Sequence, residues 1–326
     1  MKKFVFFLTV LSIALFSHAQ VYQLTWSNGE VLYGIALDEF DSVSYVFDED
    51  MDMSRIHILN RHNINRVVRD TMYITKYIYD TIYAAPPIKS IGVFSVSSNK
   101  KVTFSPGNLQ YQASSKTWRF APSQTDYIGD GNEYISSYYS GWIDLFGWGT
   151  GSNPTKSSTN NSDYSTFVDW GNNKIGNDAP YTWRTLTKEE WYYMRYTRHN
   201  ASSLCGVAKV AGVNGLIFLP DNWICPSCVT FKSGFHSNYS VEAYGYYQTF
   251  TSEQWSKMEQ AGAVFLPVGG RRNGSSVDHV QYCARYWSST PDGSYDAYYL
   301  YFYSDEAPIS SDDRSYGRNV RLVKDL

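Results

Sequence analysis

The stretch Tyr299-Leu300-Tyr301-Phe302-Tyr303 decides how the carboxy-terminal part of this chain folds. Successive side chains of a β-strand point to opposite faces of the sheet, so Leu300 and Phe302 should lie on one side and the three tyrosines on the other. We expect the Leu/Phe side to pack in a core and the tyrosine side to face water. Turn-forming residues precede the strand, at 291–294, and short polar residues follow it, at 310–313.

A second apolar run, from Asn319 to Val323, predicts a final strand with Val320 and Leu322 on one face. The residues that we assign to the core are Trp287, Leu300, Phe302, Val320 and Leu322. Tyrosine offers a large, rigid contact area with a polar tip, and recognition surfaces combine it with short polar residues. The predicted ligand-binding residues are Tyr295, Tyr299, Tyr301, Tyr303, Asp305, Ser311, Asp312, Asp313 and Tyr316. A plain structural sheet explains the pattern equally well, because tyrosine fits a half-buried sheet.

The chain begins with a pattern that is typical of a secretory signal. Lys2 and Lys3 precede an apolar run at 4–16, and small residues follow up to Ala19, after which we expect cleavage. The run is too short to span a bilayer comfortably, and no later segment is apolar enough for a membrane helix. We therefore expect a secreted protein, in the periplasm, at the cell surface or outside the cell, with no membrane insertion.

Charge and composition limit the classes of partner. Without the two lysines of the signal, 26 basic residues face 31 acidic ones, so the net charge is −5 with His neutral. That balance gives no electrostatic footprint for nucleic acid. The 29 Tyr, 17 Phe and 10 Trp residues, against a charged fraction of 18%, allow a large core and still leave aromatic residues for the surface. This composition is typical of extracellular binding proteins.

Three segments precede the main domain. After the signal at 1–19, an Asn28-Gly29 pair between alternating apolar runs predicts a β-hairpin, so 20–68 should form a small β unit. A ten-residue repeat and a Pro-Pro joint then predict a stalk or linker at 69–87. Short strands mixed with two helices make 88–326 a domain of the α+β class.

Two similar sequence motifs predict the starts of helices, Thr187-Lys188-Glu189-Glu190-Trp191 and Thr251-Ser252-Glu253-Gln254-Trp255. In each, Thr is a potential N-cap and Glu or Gln three residues later completes a capping box. Gly262 should end the second helix, because glycine takes the left-handed conformation that a helix end often needs. The apolar residues expected in the core are Trp191, Met194, Trp255 and Met258.

Few residues suggest catalysis or metal binding. Cys205, Cys225, Cys228 and Cys283 allow three disulfide pairings after export, and the extended-looking segments around Cys225 and Cys228 favour structural or free thiols over redox chemistry. No paired spacing supplies zinc ligands, and the acidic run at 48–52 lacks the glycine and glutamate of a calcium loop. Nucleophile, metalloprotease and nucleotide-binding motifs are absent. We therefore expect a protein that is not an enzyme and that has no cofactor or metal.

A set of aromatic and glycine-rich motifs resembles a known family. The motifs lie at 104–111, 117–120, 141–149, 183–187, 190–191, 219–223, 261–267, 286–290 and 317–323. Together they resemble secreted proteins of Bacteroidetes and Fibrobacteres with a C-type-lectin-like domain, of the Fibrobacter major paralogous domain type, and more distantly the formylglycine-generating-enzyme fold. The resemblance covers about residues 90 to 326.

The resemblance implies one compact unit with two helices, twisted antiparallel sheets and neighbouring chain ends. It also implies that the ligand face is built from 286–323. The calcium-dependent sugar-binding triplets of animal lectins are absent, and no cysteine aligns with the reactive pair of the oxidase members, so neither activity is implied.

We expect a secreted, non-catalytic recognition protein that binds a glycan or protein ligand through the predicted tyrosine-rich residues. In the first alternative, a structural surface protein, the same tyrosines form an assembly interface. The second alternative is a carbohydrate-active enzyme. Sugar hydrolysis needs two carboxylates at a defined separation, and the sequence, which contains many Asp and Glu residues, does not give that separation.

Overall fold

A computed structural model describes residues 92–227, 229–235, 248–303 and 306–326, together with the backbone of five strands before residue 92. The chain divides into two compact units, Met1–Pro87 and Ile88–Leu326. Across the described residues it is an α+β protein, with many short strands and few helices. No helix in this part of the chain is long and apolar enough to cross a membrane.

The first unit contains a five-stranded antiparallel sheet. Its strands are β1 Ala19–Thr25, β2 Val31–Leu37, β3 Ser42–Val46, β4 Leu59–Asn60 and β5 Tyr73–Thr75, in the order β4-β3-β2-β1-β5. β1 and β2 pair from Ala19↔Leu37 to Thr25↔Val31, which confirms the predicted hairpin. β5 pairs with β1, so residues 73–75, which lie in the predicted stalk or linker at 69–87, form an edge strand of this sheet. The signal-like segment up to residue 18 and the acidic run at 48–52 lie outside the described residues.

The second unit is built from short strands in several small sheets. The strands are β6 Phe94–Ser95, β7 Lys101–Phe104, β8 Leu109–Gln112, β9 Thr117–Phe120, β10 Trp142–Ile143, β11 Cys205–Val210, β12 Val213–Phe218, β13 Thr249–Phe250, β14 Val264–Pro267, β15 Arg271–Asn273, β16 Ser276–Asp278, β17 Ala284–Asp292, β18 Asp296–Phe302, β19 Ile309–Asp313 and β20 Val323–Asp325. They form sheets β10-β8-β9, β13-β11-β12-β14, β15-β16, β17-β18-β19 and β20-β7-β6. Pairing within these sheets is antiparallel except between β11 and β13.

Two α-helices begin at the predicted capping boxes. They are α1 Lys188–Tyr192, which a π-helical turn Tyr193–Thr197 continues, and α2 Ser252–Gln260. Short 3₁₀ helices cover Gly129–Tyr134, Asn161–Tyr164, Trp170–Asn172 and Ala201–Ser203. Both boxes are confirmed, since each Thr hydroxyl accepts the backbone N–H three residues on and that residue's side chain accepts the Thr N–H. Gly262 follows α2 with a φ of +93°, and the four Trp and Met residues predicted for the core are buried.

The two ends of the second unit meet in one sheet. β7 pairs with β6, near the start of the unit, and with β20 at its end. Arg184 reinforces the closure, because its guanidinium binds both Glu190 in α1 and Asp325 in β20. The expected proximity of the two ends of this unit is confirmed.

The sheet β17-β18-β19 lies between two apolar clusters. Tyr286, Leu300 and Phe302 point into one cluster, on the side that we call face A. Trp287 and Tyr299 point into the other, on the side that we call face B. The core assignments of Trp287, Leu300, Phe302, Val320 and Leu322 are confirmed, since none is more than 1% exposed.

The predicted strand from Asn319 to Val323 is wrong in its bounds. Residues 317–319 make isolated bridges, of which Tyr286↔Asn319 runs parallel to β17, and the strand begins only at Val323. Just before this segment, Phe146 and Arg318 also exchange backbone hydrogen bonds. The partners of this part of the chain are therefore distant in sequence. Val320 and Leu322 are buried as predicted, but Arg321 and Val323, predicted for the opposite face, are buried as well, so alternation did not separate a core side from an exposed side in this segment.

Candidate binding face

Face B carries a row of tyrosines on β18. Tyr299 and Tyr301 lie in β18 and Tyr303 directly follows its last residue, and the successive ring centroids are 6.3 and 5.4 Å apart. On β17, Arg285 lies opposite Tyr301, and on β19, Asp312 lies opposite Ala297. Residues that face each other across antiparallel strands share a face, so Arg285 and Asp312 belong to face B as well.

The Arg318 side chain lies across face B. It starts from the segment beside β17, passes over β17 and β18, and reaches β19. Its guanidinium carbon lies 4.4 Å from the centroid of the Trp287 ring and 3.6 Å from that of Tyr299. Its Nη2 donates to Asp312 Oδ2 at 2.8 Å. The side chain is fully buried, so cation–π contacts and one ion pair tie three chain segments together.

Tyr299 does not face water, and its predicted exposure is wrong. It is 6% exposed, with its ring edge-to-face against Trp287 and under the Arg318 guanidinium. Strand alternation assigns a side chain to a face, but the second apolar cluster and Arg318 cover this end of face B. Tyr299 is therefore a core residue beneath the candidate site.

Tyr301 and Tyr303 are the half-exposed rings of the row. Burial raises the pKa of Tyr301 to about 12, and the nearby Cys283 thiol acts in the same direction. The Arg285 guanidinium lies 5.1 Å from the Tyr301 ring centroid, and its Nη1 donates to Cys283 Sγ at 3.2 Å. Tyr301 thus stays a neutral phenol whose ring position is fixed by its neighbours.

Tyr316 adds a further half-exposed ring. Its centroid lies 4.5 Å from the Arg271 guanidinium and 5.7 Å from that of Arg318. Arg271 is held in turn by two hydrogen bonds to the Asp278 carboxylate, at 3.1 and 2.6 Å. The hairpin β15–β16 therefore helps to position Tyr316 beside face B.

The remaining predicted residues do not join this arrangement. Ser311 pairs with Tyr298 and Asp313 with Asp296, so alternation places both on face A. The Asp313 carboxylate accepts the side-chain amide of Asn161. Tyr295 is 58% exposed in the turn before β18, at the far end of the strand from Tyr303. Asp305 lies outside the described residues.

Sequence reasoning missed the arginines of the site. Arg271, Arg285 and Arg318 contact the tyrosine rings, whereas the predicted binding residues are all tyrosine, serine or aspartate. One signal was present: Arg318 stands in the same alternation as the apolar Val320 and Leu322. A cation in a buried register of an aromatic-rich chain indicates a guanidinium stacked on rings.

Three cysteine thiols lie within the described residues, and two of them are buried. Cys205, Cys225 and Cys283 are free thiols, and burial raises the pKa of Cys205 to about 12, far from the range of a reactive thiolate. Cys228 lies outside the described residues. Within the described ranges, no group of three or more His, Cys, Asp and Glu side chains could hold a metal ion. Face B offers ring surfaces and guanidinium N–H groups, which suit non-covalent binding.

Comparisons of the chain with protein-family models, with curated proteins and with solved structures find no match. The geometry of face B and the sequence motifs are therefore the basis for a functional proposal.

Proposed function

We propose that this chain is a secreted, non-catalytic recognition protein that binds a glycan or protein ligand through face B. The observation that carries the proposal is the set of half-exposed rings, Tyr301, Tyr303 and Tyr316, with guanidiniums placed against two of them. Rings held by their neighbours lose little freedom on binding, which lowers the entropic cost of association. Tyrosine and arginine are also enriched at the positions that dominate binding energy.

A C-type-lectin-like fold for 88–326 is part of the proposal. Two capping-box helices, small antiparallel sheets and the meeting of β7 with β20 support it. The motif set described from the sequence supports it as well. A face built from 286–323 is where that fold would present a ligand.

Secretion belongs to the same proposal and is supported by the sequence. A basic start, an apolar run at 4–16 and small residues before Ala19 form a signal-like pattern. An exported protein that meets ligands outside the cell would use the aromatic surface that the composition allows. Amino-terminal sequencing of the protein recovered from the medium or periplasm tests this part, since an intact Met1 would contradict it.

The test of binding is an array screen of the purified chain against glycans and proteins, beside a Tyr303→Ala/Tyr316→Ala double variant. Both side chains are half-exposed, so their removal should leave the fold intact. We expect the double variant to bind at least about tenfold more weakly, because hot-spot aromatics contribute 1 to 2 kcal/mol or more.

The matched control is Tyr138→Ala, since Tyr138 is 87% exposed and precedes β10. It should bind like the unchanged chain. Equal binding by the double variant would contradict the proposal, and so would a chain that binds nothing on either array. Signal from immobilised copies of the chain itself would point instead to an assembly protein.

A further inference from the structure

Face B holds two neighbouring cations and one carboxylate. Arg318 stacks on Tyr299 and Arg285 on Tyr301, and the two rings are in contact. Asp312 pairs with Arg318. Among the residues that the structure describes, none of the carboxylates forms an ion pair with Arg285. The face therefore carries one positive charge more than it balances locally.

Three guanidinium nitrogens of the two arginines on face B lack hydrogen-bond acceptors among the described residues. Nε and Nη1 of Arg318 and Nε of Arg285 are buried without a hydrogen-bond partner within the described part of the chain. Burial lowers the pKa of Arg318, and the charge of Arg285 adds to that effect. The two arginines therefore carry buried N–H groups without acceptors in the described chain and lie close enough for their charges to disfavour each other, and an anion bound at Arg285 would offset that charge.

Arg285 is the side chain that a ligand can reach. It is half-buried, its Nη1 is engaged by Cys283, and its Nη2 donates no hydrogen bond within the described residues yet is not buried. A guanidinium presents its N–H groups in a planar fork that matches a carboxylate or sulfate group. The Arg285 guanidinium, which carries Nη2, has its carbon 5.1 Å from the Tyr301 ring centroid.

We propose that the ligand of face B is an acidic polysaccharide, with its carboxylate or sulfate on Arg285 and its sugar rings on Tyr301 and Tyr303. This inference rests on the proposed function. A peptide cannot add as a strand directly beside Tyr301, because β18 is paired on both sides and the edge strand of this sheet is β19. The chain as a whole has a net charge of −3, so attraction to a polyanion would come from a local group and not from the overall charge.

The experiment compares binding of the full chain to polygalacturonate and to neutral dextran by affinity electrophoresis. We expect retardation by polygalacturonate that weakens as salt rises. Arg285→Gln should weaken this binding about tenfold or more, and Arg285→Lys should retain part of it, since the charge stays and the planar fork is lost.

Arg119→Gln is the matched control, because Arg119 also stacks on a ring, at 3.7 Å from the Trp142 centroid, but on β9. Its binding should stay within about twofold of the unchanged chain. Circular dichroism and thermal unfolding establish that each variant is folded. A misfolded Arg285→Gln would leave the decision to Arg285→Lys, whose unchanged affinity would contradict a planar contact.

Other outcomes separate this inference from the proposed function. Equal binding of both polymers, with Arg285→Gln unchanged and Tyr303→Ala weakened, would overturn the acidic ligand and leave recognition through face B intact. Equal loss in Arg285→Gln and Arg119→Gln would overturn the assignment of the anion to Arg285. Absence of binding to both polymers would overturn the acidic ligand, whereas the array screen decides the proposed function.

Discussion

Asp144 is a carboxyl group fully enclosed by protein. Its two oxygens accept the Ile128 N–H and the Asn132 side-chain amide, and the Asn132 oxygen accepts the N–H groups of Asp144 and Leu145. This reciprocal set fixes the 3₁₀ helix Gly129–Tyr134 against the strand that follows. Burial nevertheless raises the pKa of Asp144 to about 6.

Stability relative to an Asp144→Asn variant should fall as pH rises from 4 to 6. The pKa of Asp144 is about 6 in the folded state, compared with 3.8 for an aspartate that is not buried, as in the unfolded chain. Between these values the folded state holds more protons, so the free energy of unfolding decreases as pH rises, by about 3 kcal/mol in all. Urea unfolding of both proteins at several pH values measures it. A pH-independent difference would show that Asp144 keeps an ordinary pKa.

Tyr299 lies in β18 and Tyr303 directly follows it in the same row of rings, but the two should differ in their effect on stability. Tyr299→Ala removes a buried ring and should cost about 3 to 5 kcal/mol. Tyr303→Ala removes a half-exposed ring and should cost about 1 kcal/mol or less. Urea denaturation provides the comparison, and equal losses would contradict the burial of Tyr299.

At the scale of single residues, the sequence predicts which side of a strand a residue takes. Leu300 and Phe302 are buried as expected for that reason. It does not predict what covers each side, because Arg318 and Trp287 reach Tyr299 from other parts of the chain. The arginines of the site were not predicted for the same reason, because the rings that they contact belong to other segments of the chain.

The two capping boxes differ in what else their acidic or amide residue does. Glu190 accepts the Thr187 N–H and also binds Arg184 through both oxygens, whereas Gln254 accepts the Thr251 N–H. Glu190 is buried. The start of α1 is therefore joined to the closure of the unit, and the start of α2 is capped locally.

Alanine at these two cap positions should separate the roles. Gln254→Ala should cost about 1 kcal/mol, the usual value of a cap interaction. Glu190→Ala leaves the partly buried Arg184 with one carboxylate fewer and should cost about 2 to 4 kcal/mol. Thermal unfolding followed by circular dichroism measures both. Equal shifts would mean that Arg184 adds nothing to the cap.

At the scale of elements, local signals were predictive. The capping boxes and the Asn28-Gly29 hairpin involve residues close in sequence, and both are confirmed. Asn319 to Val323 was misassigned because its hydrogen-bond partners, including Phe146 and Tyr286, come from distant elements. The sequence of the segment itself does not indicate partners that are distant in the chain.

Removal of residues 323–326 should destabilise the second unit as a whole. The deletion takes away β20, the buried Val323 and the Asp325 partner of Arg184. A loss of about 3 kcal/mol in a unit of this size corresponds to a drop of roughly 6 to 12 °C in Tm. Deletion of Leu326 alone, which is 65% exposed, is the control and should have a small effect. Similar Tm values for both truncations would show that β20 is dispensable.

At the scale of the whole molecule, the α+β class could be predicted from the mixture of short strands and capped helices. The division of the chain into Met1–Pro87 and Ile88–Leu326 falls at the Pro-Pro joint. The enclosure of one sheet between two apolar clusters was not predictable, because it depends on how distant segments stack. That enclosure decides which tyrosines remain for a ligand.

β18 is hydrogen-bonded along both edges and has apolar clusters against both faces. Its amide protons should therefore exchange with deuterium only when the whole unit opens, and not through local fraying. A ligand that occupies Tyr301 and Tyr303 would then slow exchange at every amide of Ile88–Leu326 that exchanges through opening of the whole unit, including amides far from the ligand. Occupancy and global unfolding would be linked in this protein through a single strand.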